Sequence, residues 1–290
     1  MTERDPLLAP RGRRRRRLHP LWGVAALIAG LAGIAALWVW VFSPIFVTPQ
    51  EFHGRQRRFD RVIREVLHAR GESVSKLPPW PGPLSVERLE LMACVEGQVV
   101  RGVRYASGKQ SIDYPWGDLP PHLGTSPDLV IRCMRELDLD LQQMVHLDRT
   151  KNPKRYPMQL VAQRQPDKSL DHRRVAFLFT FAKAFWPDAP LEHDTPEAAA
   201  LWLPGDIVFW KEGGREGFPG LIGVVLDRRD PTGMPLVATL HPDEGRATSH
   251  HRLDEWPVLG HFKPDIDVIF ERFLEAYPGT AQEPRPAVQP

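Results

Sequence analysis

Hydrophobic and polar positions change their period several times along this 290-residue chain. Leu21–Phe42 is an uncharged apolar run, longer than the ~20 residues that cross a bilayer as a helix. Phe59, Val62, Ile63, Val66 and Leu67 then recur at helical spacing, which predicts an amphipathic helix over Phe52–Arg70. Leu77-Pro78-Pro79-Trp80-Pro81-Gly82-Pro83 predicts a stiff, extended connection. Ser85 to Val100 reads as a second helix, capped by Ser85 and carrying Glu87 and Glu90 early. Tyr114–Pro121 is too rich in proline and glycine for regular structure. Pro127–Leu137 reads as a third helix, apolar at Leu129, Val130, Cys133, Met134 and Leu137. Ser126 would be its N-cap, Pro127 its first position and Asp128 its first-turn acid. Val175–Trp186 is aromatic-rich and fits a helix or a strand. After Pro204-Gly205-Asp206 come short β-rich runs at Ile207–Trp210, Leu221–Leu226 and Leu236–Leu240, separated by turns. Helices first and an antiparallel sheet afterwards is an α+β order. From Tyr277 the chain is rich in proline, glycine and glutamine, which predicts a disordered tail.

Composition bounds the class: 42% hydrophobic and 26% charged residues suffice for an ordinary globular core. The net charge of +2 conceals a block at Arg11 and Arg13–Arg17, directly ahead of the apolar run. Block and run in that order predict an uncleaved signal anchor, with the arginines in the cytoplasm and Trp38 and Trp40 at the far interface. The same adjacency makes the arginines a membrane-topology signal, so no nucleic-acid partner is expected. The expected organisation is a cytoplasmic tail (1–20), a transmembrane helix (21–43), a helix and Pro-rich linker (44–84), an extracytoplasmic α+β domain (85–275) and a disordered tail (276–290). A single-pass protein of the cytoplasmic (inner) membrane follows, with its domain in the periplasm or outside the cell. Cys94 and Cys133 fit either a disulfide or a pair of buried thiols.

Several runs between Leu89 and Lys263 resemble exported bacterial proteins of unassigned function within the NlpC-like, papain-fold clan of cell-wall peptidases and amidases. They are Tyr114-Pro115-Trp116-Gly117-Asp118-Leu119-Pro120, Asp128-Leu129-Val130-Ile131-Arg132, Asp140–Asp148, Asp171-His172-Arg173-Arg174-Val175, Leu203-Pro204-Gly205-Asp206-Ile207-Val208 and Trp256–Phe262. The resemblance implies a papain-like fold, with helices packed on an antiparallel sheet. It also implies a thiolate nucleophile at a helix start, a histidine on a following strand and a third polar residue that orients it. Ser126 stands where the resemblance places the cysteine. Leu221, in Pro219-Gly220-Leu221-Ile222-Gly223, stands where it places the histidine. His241 falls at the third position. Losing one member of such a unit costs about as much as losing all of them, typically ~10⁴–10⁶ in rate.

The resemblance therefore implies a catalytically inactive domain that binds cell-wall peptide or an envelope partner. The alternative is an active serine-type peptidoglycan peptidase or amidase, using Ser126 with His122 or His241. Tyr114, Trp116, Asp118, Asp128, His172 and Arg173 are the candidate binding residues. Asp171-His172-Arg173-Arg174 fits either an anion site or an ion-paired turn. His241, Asp243, His250 and His251 lack the spacing of common zinc motifs and read as a solvated loop. No metal and no cofactor are expected.

Overall fold

Ser85 caps α1 (Val86–Val100), as its position before an apolar-periodic run predicts: its hydroxyl accepts from Arg88 N at 3.4 Å. In this computed structural model residues 82–285 are described, except 109, 163, 281 and 284. The arginine block, the apolar run Leu21–Phe42 and the helix expected at Phe52–Arg70 lie outside the described residues. Among the described residues, no helix is long and apolar enough to cross a membrane. The described part belongs to one unit, Ser73–Pro290.

Two short strands follow α1, β1 (Arg104–Tyr105) and β2 (Leu123–Gly124), paired in parallel. Next come α2 (Ser126–Glu136), α3 (Leu141–Lys151) and α4 (Val175–Phe185). The second half is β3 (Ile207–Trp210), β4 (Leu221–Arg229), β5 (Pro235–Leu240), β6 (Ala247–Arg252), β7 (Val258–Phe262) and α5 (Ile266–Ala276). β3–β7 form one antiparallel sheet in the order β6-β5-β4-β3-β7. The α+β expectation holds, with helices followed by an antiparallel sheet.

Side chains alternate across that sheet. Ile207, Phe209, Ile222, Val224 and Leu226 join the main core with the helices. Val208, Trp210, Leu221 and Val225 form a second cluster with Trp202, Leu253 and Trp256 on the other face. α2 is largely enclosed: Leu129, Val130, Cys133 and Met134 are all buried, and of its charged residues Asp128 and Arg135 are buried with partners. Cys94 of α1 and Cys133 of α2 are joined in a disulfide, which decides between the two readings of these cysteines.

α4 resolves as a helix although its sequence, VAFLFTFAKAF, favours strands locally. Phe177, Phe181 and Phe185 recur at i, i+4, which puts them on one helical face. Phe181 and Phe185 lie 4.7 Å apart, and Phe185 meets Phe273 of α5 at 5.4 Å. On another side Phe179 packs on Phe209 and Phe262 of the sheet. Tertiary packing overrides the local preference. Tyr277, just past α5, packs on Phe273 and hydrogen-bonds to Asp148. Burial and that carboxylate push its hydroxyl up to about 12. Glu283, in the segment expected to be disordered, exchanges backbone–side-chain bonds with Gln143.

Candidate functional site

α2 begins one residue earlier than the pattern indicates, and this changes the role of Ser126. The N-cap is Thr125, not Ser126. Thr125 N and Oγ1 both donate to Asp128 Oδ2, at 2.6 and 2.7 Å, in the reach-back geometry of a capping box. Ser126 is therefore the first helical residue, and it is 4% exposed. The two-stranded ladder brings it toward the turn after His241. Ala106 N donates to Gly124 O, and Tyr105 N donates to Gly245 O, both at 2.8 Å.

Leu221 and His241 meet at one end of the large sheet. The β4/β5 register pairs Val224 with Ala238, and three residues further it sets Leu221 level with His241. Leu221 is buried in the second cluster beside Trp210 and Trp256. His241 stacks on Trp256 at 5.2 Å, with planes 8° apart. Its Nδ1 accepts from Asp243 N at 3.2 Å, and its Nε2 faces Glu212 Oε1 at 3.5 Å. Asp243 and Glu212 are thus the polar neighbours of its two nitrogens. His122 is exposed, and its carbonyl accepts from Arg104 N. A cleft of about 220 Å3 opens beside Pro219 and Gly220, lined by Arg174, Val175, Phe177, Gly214 and Arg215.

Of the remaining expected binding residues, Trp116 and Asp118 line a cleft, Asp128 and Arg173 form a buried ion pair, and Tyr114 and His172 pack elsewhere. Tyr114 packs edge-on to His146 at 5.3 Å. Trp116 has φ 62°, a region that non-glycine residues occupy only when the surroundings hold them there. Its N–H donates to Asp140 Oδ2, and its indole donates to Glu283 O. A Cβ on Gly117 would lie 2.0 Å from Asp113 O, so glycine is required there. Asp118 makes a two-bond pair with Arg132, at 2.7 and 3.0 Å. Trp116, Asp118, Arg101, Arg132 and Arg135 line a cleft of about 420 Å3 next to Cys94.

Asp128 and Arg173 meet each other instead of a ligand. Arg173 Nε and Nη2 donate to the two carboxylate oxygens at 2.7 and 3.0 Å, and both side chains are 3% exposed. Burial alone would raise the Asp128 carboxyl. The Arg173 and Thr125 hydrogen bonds outweigh it and hold the group below its usual range. Asp171 pairs with Arg149 and Arg174. The run Asp171–Arg174 is thus an ion-paired turn, and the anion reading of it is set aside.

His172, between these pairs, is 2% exposed, and burial together with the Arg135 charge lowers its pKa to about 3. A histidine held neutral in the fold stabilises it fully above the unfolded value of ~6.5 and loses that contribution as pH falls toward the folded value. Stability should therefore drop by about 1.4 kcal/mol per pH unit between roughly pH 6.5 and 4. His172→Gln should flatten this slope in urea unfolding at several pH values. An unchanged slope would remove His172 as its source.

The solvated-loop reading of the later histidines is corrected. His250 and His251 lie on β6, and His241, at 4%, and His251, at 2% exposed, are buried. Glu244, Glu255 and the face of Trp256 supply the polar and aromatic partners that permit this. Sequence reading also missed a buried group at the other end of the sheet. His261 Nε2 lies 2.7 Å from Asp206 Oδ2, its Nδ1 lies 2.6 Å from Pro190 O, and its ring stacks on Trp202 at 3.5 Å. Arg88 completes it, 2.8 Å from Asp206 Oδ1. The signal was present in Leu203-Pro204-Gly205-Asp206 and Gly260-His261.

These features define an α+β domain with a buried helix packed on an antiparallel sheet. The chain belongs to the family described as a domain of unknown function, DUF1287, which matches residues 92–264. A similar protein is the Uncharacterized protein YijF of Escherichia coli (strain K12). It is 36% identical over 152 residues, covering 52% of this chain and 69% of that protein. No solved structure matches the chain significantly.

Proposed function

We propose that the chain is a membrane-anchored envelope protein whose papain-like, NlpC-like domain has lost hydrolysis and binds cell-wall peptide. The observation that carries this reading is the chemistry around Ser126. Its hydroxyl opens a helix, where a thiol would be activated by the helix start but a serine needs a base. The strand position implied for that base is Leu221, which packs among tryptophans on the sheet face away from the helices, while His241 has Asp243 and Glu212 as its polar neighbours. The cleft at Pro219–Gly220 supports binding, because Arg215 on its wall suits a carboxylate of a stem peptide. The Cys94–Cys133 disulfide supports an oxidising, extracytoplasmic location. The arginine block and Leu21–Phe42 support the anchor.

The test incubates full-length wild type and Ser126→Ala with purified peptidoglycan, then pellets the cell wall and separates the soluble muropeptides by chromatography. The expected result is that both proteins pellet with the wall and neither releases fragments. Fragments from wild type alone would establish a serine hydrolase and overturn the loss of chemistry. Failure of both proteins to pellet would overturn peptide binding.

A further inference from the structure

Glu244, His250 and His251 bring three potential ligand atoms within 4.8 Å of one another. Glu244 lies in the turn between β5 and β6, and the two histidines are consecutive on β6. Consecutive strand residues normally point to opposite faces. Here the β5/β6 register slips between Val237 and Thr239: His251 pairs with Val237, yet Thr248 pairs with Thr239. Such a bulge re-aims a side chain, and both imidazoles reach the same carboxylate. His250 Nε2 and His251 Nε2 each lie 3.4 Å from Glu244 Oε1, with the rings stacked at 5.0 Å.

We propose that these three side chains bind one divalent transition-metal ion, zinc by class, with water in the fourth position. The distances fit such an ion. Zinc bonds of ~2.0–2.2 Å to nitrogen and oxygen in tetrahedral geometry set ligand atoms roughly 3.3 Å apart, close to the 3.4 Å from Glu244 Oε1 to each histidine nitrogen. His251 Nε2 is buried and makes no hydrogen bond at its 3.4 Å separation from Glu244, as expected of a lone pair aimed at an ion. The other nitrogen is held correctly: His251 Nδ1 lies 3.0 Å from Glu255 Oε2. A carboxylate there fixes the proton on Nδ1 and leaves Nε2 to the metal, the usual outer-shell arrangement of histidine ligands. Two histidines and one carboxylate, with a position open, form a common donor set for zinc and for ferrous iron. His251 and Glu244 are enclosed while the His250 side chain is 54% exposed, which gives an ion a way in. The site does not depend on the proposed loss of hydrolysis.

The test strips full-length protein with a chelator and titrates it with zinc by calorimetry, then with cobalt(II) under visible spectroscopy. Wild type should take up one zinc per chain, rise in melting temperature and give the intense bands of four-coordinate cobalt. His250→Ala and Glu244→Gln should each weaken zinc at least tenfold and abolish the bands. The exposed position of His250 makes its variant a fair test with the fold intact. His193→Ala, remote in sequence and bonded to Leu191 O, should bind as wild type does. Equal zinc affinity in wild type, His250→Ala and Glu244→Gln would overturn the site, as would a loss equally produced by His193→Ala.

Discussion

Arg173→Met is expected to destabilise the protein by about 3–5 kcal/mol, because it leaves the Asp128 carboxylate enclosed without its countercharge. Arg173 supplies two hydrogen bonds to a carboxylate that is 3% exposed. Removing one partner costs more than the pair contributes, since the remaining ion keeps its desolvation penalty. Asp128 retains the Thr125 bonds, so α2 keeps its cap while losing its charge balance. Asp128→Asn combined with Arg173→Met should recover part of the loss, because no naked charge then remains. Urea unfolding followed by tryptophan fluorescence measures all three proteins. A loss below about 1 kcal/mol in Arg173→Met would mean that water reaches the carboxylate. A double variant as unstable as the single one would place the cost in packing.

The second large effect concerns the disulfide. Cys94 and Cys133 are 39 residues apart, and their bond ties α1 to the buried helix α2. Closing a loop of that length restricts the unfolded chain by about 4 kcal/mol in the chain-entropy account, within a usual range of ~2–4 kcal/mol for measured cases. Cys94→Ala with Cys133→Ala, or reduction of wild type under denaturing conditions, should lower the urea midpoint accordingly with little change in folded-state circular dichroism. Reductant should have no further effect on the double variant. If the double variant matched oxidised wild type, the bond would be stabilising nothing beyond what helix packing supplies.

How far the fold could be read from the chain depended on which force set each element. β3, β4 and β5 are apolar, β-branched runs between turn residues, and they lie where the pattern placed them. β6 reads Ala-Thr-Ser-His-His-Arg and escaped notice. It is an edge strand, and edge strands carry polar side chains that blur alternation. β7 is interrupted by Gly260, where an added Cβ would meet the Phe179 ring at 2.7 Å, so a residue that weakens strands is forced by close packing. α5 was legible and overlooked: Asp265 caps it, and Ile269 and Phe273 recur at i, i+4.

The candidate site divides in the same way. Ser126 and Leu221 stood out because their residue types depart from a chemical pattern. The partnerships of Asp128 with Arg173, and of Asp206 with His261, link residues 45 and 55 positions apart, and no local pattern carries that information. The convergence of His250 and His251 depends on a bulge, which is set by how β5 and β6 meet and not by the residues of β6 alone.

The order of strands has a consequence for how the molecule comes into being. β3 lies between β4 and β7, and β7 is the last strand among the described residues. During synthesis, β3 can pair with β4 early, but its other flank waits until residue 262 has emerged. Pairings across such sequence separations close slowly, because loop entropy must be overcome before any contact rewards it. The half-built sheet therefore passes through a stage with the four-residue edge of β3 unoccupied, and open edges can recruit other strands. What closes that edge in the finished molecule is the chain's own β7.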